Sequence, residues 1–103
     1  METEFSTNLE PSQTELLAWL AEECGEVVQM VGKILRHGYE SYHPARRDGP
    51  SNRQKLAEEL GNLRLVQIML IASGDLDVQL IEKSFRAKMD TASKYLHFNQ
   101  IED

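Results

Sequence analysis

Apolar residues recur along most of this chain at intervals of three and four, the spacing that gathers side chains on one face of an α-helix. Leu16, Leu20, Val27, Met30 and Ile34, with Glu23 interposed, predict a first helix over about 13–36. Ser12-Gln13-Thr14-Glu15, just after Pro11, has the form of a capping box, whose side chains satisfy backbone N–H groups that a helix start leaves free. Gly38 is placed to stop this helix. The internal Gly25 and Gly32 cost it ~1 kcal/mol each against Ala and leave room for a neighbouring helix to come close. A second stripe, Leu56, Leu60, Leu63, Val66, Gln67 and Leu70, follows Ser51-Asn52-Arg53-Gln54, another capping-box candidate, and ends near Ser73-Gly74. The third stripe is Val78, Ile81, Phe85, Met89, Ala92 and Leu96, opened by Asp75 or Asp77 as N-cap.

Between the first two helices, residues 37–51 (HGYESYHPARRDGPS) lack any helical period. This segment reads as a long loop, and loops of this length in compact domains are usually functional or mobile. No alternating β-branched run, internal repeat or low-complexity segment is present. The pattern therefore predicts an all-α fold, a single domain over residues 1–103 with frayed tails at 1–11 and 98–103. Each helix should reach about 30 Å or more. Three such rods make a thin bundle with apolar surface left over, so a homo-oligomer is expected to complete the core.

Composition narrows the partners. An apolar fraction of 41% is enough for a core. A net charge of −6 argues against binding nucleic acid polymers or anionic membranes, which need a basic field. It leaves a nucleotide open, because a metal ion can supply positive charge. No apolar run approaches the roughly 20 residues of a membrane span. The polar, acidic stretch Met1–Glu10 is unlike a secretory signal. Cys24, the single cysteine, cannot form an internal disulfide and reads as a small buried hydrophobe; a cytoplasmic location is expected.

Two acidic clusters interrupt the apolar stripes. Leu16, Glu23 and Met30 are seven apart, which puts Glu23 on the seam between core residues, with Glu26 one turn on. On the second helix Leu56, Leu63 and Leu70 set the seam; Glu59 falls within it and Asn62 lies three further on. Glu22 and Glu58 point about 100° away, toward solvent or an outer shell. Carboxylates removed from water without a partner cost several kcal/mol, roughly, and converging ones repel one another. A divalent cation between the helices relieves both. Hard oxygen donors suit Mg²⁺, with Mn²⁺ as the alternative, and Mg²⁺ is commonly shared with phosphates. The competing reading is a pair of solvated acidic faces. A ferritin-like di-iron site needs inward Glu-x-x-His pairs, and the one match, Glu40 with His43, falls in the loop.

Glu23-x-x-Glu26 and Glu59-x-x-Asn62, within LAEECGEVVQMVGKILRHG and NRQKLAEELGNL, resemble the MazG-like all-α nucleoside triphosphate pyrophosphohydrolases. Their signature is Glu-x-x-Glu, a spacer, then Glu-x-x-Asp, and the resemblance runs from about Leu16 to Leu96. It implies Mg²⁺-dependent cleavage of an NTP or dNTP to the monophosphate and pyrophosphate by water attacking the α-phosphorus. It also implies that Glu23, Glu26 and Glu59 are catalytic metal ligands, and that the chain forms a homodimer or a tetramer built as a dimer of dimers. Two features depart from the pattern. Asn62 stands where the family has Asp: an amide oxygen still coordinates, but without charge, and it cannot act as a base. The spacer, residues 27–58, is also long, which the 37–51 loop explains.

The remaining candidates each have a bland reading beside the functional one. Lys33, seven after Glu26, reaches a triphosphate or simply snorkels at the helix end. Arg36 is a helix-dipole partner first and a phosphate contact second. Lys88 and Lys94 are surface charge, or phosphate contacts by similarity to the family. Trp19 belongs to a core or interface, or stacks on a base. Asn52 reads as a cap ahead of a substrate contact, and Arg46-Arg47 as a solvated pair ahead of a phosphate clamp. Two rivals stand against the hydrolase: a nucleotide- or metal-binding module whose turnover is impaired by Asn62, and a purely structural helical oligomer.

Overall fold

The computed structural model describes residues 6–46 and 48–101. Arg47 of the Arg46-Arg47 pair and the tail residues 1–5 and 102–103 lie outside the described residues. The described residues form three α-helices, α1 (Pro11–His37), α2 (Asn52–Ala72) and α3 (Val78–Ala92), and no strand. The all-α expectation holds.

The helix ends follow local chemistry, with one shift. Helix α1 starts two residues before its expected start because Glu10, not Ser12, is its N-cap. The Glu10 N–H donates to Gln13 Oε1 at 2.8 Å, and Pro11 takes the first helical position, where its missing N–H costs nothing. Gly38 ends the helix with φ 88°, a conformation that glycine adopts freely, and its N–H bonds Ile34 O at 2.7 Å. At α2 the expected box is present: Ser51 N–H donates to Gln54 Oε1 at 2.8 Å, and Gln54 N–H donates to Ser51 Oγ at 3.2 Å. Of the two candidates for α3, Asp77 is the cap, accepting from Gln79 N–H at 2.9 Å. Asp75 instead accepts from Gln13 Nε2 at 3.0 Å, tying the start of α1 to the end of α2.

Helices α1 and α2 form an antiparallel hairpin that holds the principal helix–helix interface. Leu16, Val66 and Leu70 are its buried centre, with Trp19 and Leu20 packed against them. Met30 is buried further along α1. Helix α3 is short of its expectation. It ends at Ala92 rather than Leu96, spans about 22 Å rather than 30 Å, and buries no residue completely. Phe85 and Leu96 of its predicted stripe are exposed, while Ile81, Met89 and Ala92 are half-buried.

Other expectations are also corrected. Cys24 is exposed, because the position beside Glu23 points off the seam. A Cβ at Gly25 or Gly61 would meet nothing within 4 Å, and one at Gly32 would meet only Arg36 of its own helix; no second helix of the described chain approaches there. The radius of gyration is 18.0 Å, against about 13 Å for a compact domain of this length. None of the helices is long and apolar enough to cross a membrane.

Candidate metal centre

The seam of α1 places an acid where a hydrophobe would be expected. Its three buried residues are Leu16, Glu23 and Met30, the heptad read from the sequence. Glu23 is only 7% exposed. Its Oε1 accepts from the indole Nε1–H of Trp19, one turn earlier, at 3.1 Å. That contact gives the half-buried Trp19 a second role beside filling the core. The spacing of four between the two residues was visible in the chain, and it was the signal that could have found the pair.

Glu26, one turn on, and Glu59 of α2 are half-buried and converge with Glu23. One carboxylate oxygen from each lies within 4.8 Å of the others. The antiparallel hairpin produces this meeting: each helix turns its acid inward at the same level. Asn62 lies three after Glu59 on α2 but is exposed, as are Glu22 and Glu58.

The electrostatics show what the arrangement costs. The Glu26 carboxyl is pushed from an ordinary 4.5 to about 7. Hydrogen bonding with Glu59 is the largest cause, followed by the Glu59 charge, loss of water contact, and the charges of Glu23 and Glu22. Oε2 of Glu23 and Oε2 of Glu59 are both buried without a hydrogen-bond partner. Buried carboxyl oxygens ordinarily have a hydrogen-bond partner, so two orphans in one cluster are a local cost that a cation placed between them would offset. The donor set is entirely carboxyl oxygen. That fits a hard divalent cation and disfavours one that prefers nitrogen or sulfur.

The basic candidates fall into two groups. Lys33 is exposed on α1 and borders a cavity that also includes Arg36, Arg46 and Lys55. Lys88, on α3, sits over the Tyr95 ring at 5.2 Å, and Lys94 is exposed in the turn after the helix. The α1–α2 interface that holds the carboxylates is the principal helix–helix packing of the described chain, and α3, which carries Lys88, is not part of it. Asn52 is not the cap, since Ser51 serves; it is the first residue of α2, 8% exposed, and donates from Nδ2 to Gly38 O at 3.2 Å. The cavity around Lys33 and Lys55 was not anticipated as a unit, because it exists only once the 37–51 loop folds back.

Compared with known families, the MazG nucleotide pyrophosphohydrolase domain matches residues 11–97. No curated protein and no solved structure matches the chain significantly.

Proposed function

The chain belongs to the MazG nucleotide pyrophosphohydrolase family, and we propose that it hydrolyses a nucleoside triphosphate, NTP or dNTP, to the monophosphate and pyrophosphate in a Mg²⁺-dependent reaction. The observation carrying this reading is the convergence of Glu23, Glu26 and Glu59 with two buried carboxylate oxygens unpartnered. These three residues would hold Mg²⁺ or Mn²⁺. When bound, such an ion neutralises phosphoryl oxygens and acidifies water. Glu23 is held in place by the indole N–H of Trp19. Without metal the Glu26 carboxyl keeps its proton up to about 7, so an ion binding there would displace that proton. Exposed Asn62 is free to add a neutral oxygen from its amide. Lys33, Lys88 and Lys94 are proposed to contact phosphates, and Trp19 to border the nucleotide site.

A second reading is favoured by Asn62 itself. With an uncharged group in place of the family's Asp, the pocket would bind metal and nucleotide without turning substrate over. Incubating the protein with each NTP and dNTP, in Mg²⁺ or Mn²⁺, and assaying pyrophosphate tests both. Metal-dependent release of pyrophosphate and monophosphate is expected. Metal-dependent binding of a non-hydrolysable triphosphate with no product would move the assignment to the binding module. Absence of both would leave only a structural helical oligomer.

The proposal includes a homodimer, or a tetramer assembled from two dimers, acting in the cytoplasm on nucleotides rather than on nucleic acid polymers or membranes. The exposed apolar side chains of Val28, Val31 and Leu35 on α1, and of Ile68 and Met69 on α2, support the assembly.

A further inference from the structure

The end of α1, the 37–51 connection and the start of α2 line an open cleft of about 720 Å³. Lys33, Arg36, Arg46 and Lys55 are among its walls. The chain has 11 Lys and Arg against 17 Asp and Glu, yet four of the former line this cavity and none of the latter does. On a surface with net charge −6, chance would not be expected to sort the signs so completely. Among the described residues none of the four cations forms an ion pair, and the pairs seen there belong to Arg53 and Arg86. A concave site lined by one sign of charge focuses its field and concentrates counter-ions.

The walls are also held in place. The Asn52 N–H donates to Ser41 O at 2.7 Å and the Arg53 N–H to Tyr39 O at 2.9 Å, while Asn52 Nδ2 holds Gly38 O. Arg53 adds a bond to Glu40 at 2.7 Å and lies over the Tyr39 ring at 4.4 Å. The connection folds on itself as well, through Arg46 N–H to His43 O at 2.9 Å and Gly49 N–H to Arg46 O at 2.8 Å. These bonds occupy the first free N–H groups of α2, and Gln54 N–H is taken by Ser51 Oγ. A ligand here would therefore be held by the four side chains and not by a bare helix end. Guanidinium groups bind phosphate oxygens in pairs, and lysines add mobile point charges.

We propose that this cavity is a binding site for a phosphate-bearing anion, held by Lys33, Arg36, Arg46 and Lys55. Its volume exceeds what one phosphate fills, so a di- or triphosphate group is the fitting class, with Tyr42 and His43 offering flat surfaces to whatever it carries. The site is distinct from the carboxylate cluster: Lys33 lies two turns beyond Glu26, about 10 Å along α1. Lys33 is shared with the hydrolase reading, whereas Arg36, Arg46 and Lys55 are not part of it, and the test below separates the two.

The test is calorimetric titration of inorganic pyrophosphate into the full chain in the presence of EDTA, at fixed moderate salt. Saturable binding is expected. Arg36→Gln and Lys55→Gln should each weaken it roughly tenfold or more, because a charged contact is lost. Glu59→Gln, at the other site, should leave it unchanged. Both cations are exposed, so the variants should keep their helices, which far-UV circular dichroism checks. No saturable heat at millimolar pyrophosphate, or the same affinity in both variants, would overturn the site. Adding a non-hydrolysable triphosphate with Mn²⁺ then identifies the source of the phosphate. Displacement of pyrophosphate means that the cavity receives the substrate's own phosphates; simultaneous binding means that it receives a separate anion, and either result upholds the site. A chain that bound pyrophosphate but no nucleotide would defeat the hydrolase reading and leave this one standing.

Discussion

At the scale of single residues, the chain places its acids against the usual rule for burial, and the consequences are measurable. Raising the folded pKa of Glu26 from 4.5 to about 7 means that the folded state holds a proton more tightly than the unfolded chain. The metal-free protein should therefore lose stability through this group as pH rises from 4.5 to 7, because the unfolded chain binds fewer protons across that window. A cation competes for the same carboxylate, so its affinity should rise with pH up to about 7 and then level off, with proton release below that point. Mn²⁺ titrations in buffers of different ionisation enthalpy measure both effects; a flat affinity between pH 5.5 and 7.5 would count against Glu26 as a ligand. Trp19 makes a second case. Trp19→Phe keeps an aromatic ring in the core but removes the donor to Glu23 Oε1. Loss of such an orienting contact typically costs about 10–100-fold in metal affinity. The expected result is weaker Mn²⁺ binding, with thermal unfolding in the absence of metal changed little. The acidic seam itself was legible, since the spacing of Leu16, Glu23 and Met30 fixes the face on which Glu23 lies. Cys24 is exposed although its side chain is apolar in kind, because helical phase beside Glu23 decides its burial and residue type does not.

At the scale of elements, the chain's punctuation was largely readable. Ser51 with Gln54, Gly38, Asp77 and Gly74 each act within a few residues of where they stand, so their effects need no tertiary knowledge. The α1 start was off by two residues because two overlapping sets of polar side chains can each close a box, and Pro11 favours the earlier one by occupying the first helical position. The arrangement of the 37–51 segment was not legible. It depends on Asn52, whose amide reaches back 14 residues to Gly38, and no local pattern announces that bond. Asn52→Ala would leave the Gly38 carbonyl without this donor in a partly buried place, at a cost of about 1–3 kcal/mol. The expected outcome is a lower unfolding midpoint in urea together with faster amide exchange across residues 38–53. If the cavity receives phosphate, the same variant should also bind pyrophosphate more weakly although Asn52 carries no charge. An unchanged midpoint would show that the backbone bonds from Asn52 and Arg53 hold the segment without the side chain.

At the scale of the whole molecule, the isolated chain is a hairpin with a third helix loosely attached, and its apolar surface is out of proportion to its core. Val28 is 70% exposed and Leu35 82%, with Val31 between them on the same face of α1. Contiguous exposed patches of this kind usually mark an interface. The extended shape points the same way, since a chain of this length folding alone would draw α3 in to cover the hairpin. Carboxylates are half-sheltered here with only two helices around them, and a second hairpin packed across the seam would complete their isolation from water and strengthen every electrostatic contact within. Assembly and the metal centre are then linked: disrupting one should weaken the other. Val28→Glu with Leu35→Glu puts charge into the exposed stripe without touching Leu16, Val66 or Leu70. Sedimentation equilibrium should show the native chain at twice or four times 11.8 kDa and the double variant at 11.8 kDa. Mn²⁺ affinity should fall in the variant although Glu23, Glu26 and Glu59 are all retained. If the native chain sediments as a monomer at micromolar concentration, the stripe has another occupant. If the variant dissociates yet keeps its Mn²⁺ affinity, the centre is complete within a single hairpin, and oligomerisation serves stability alone.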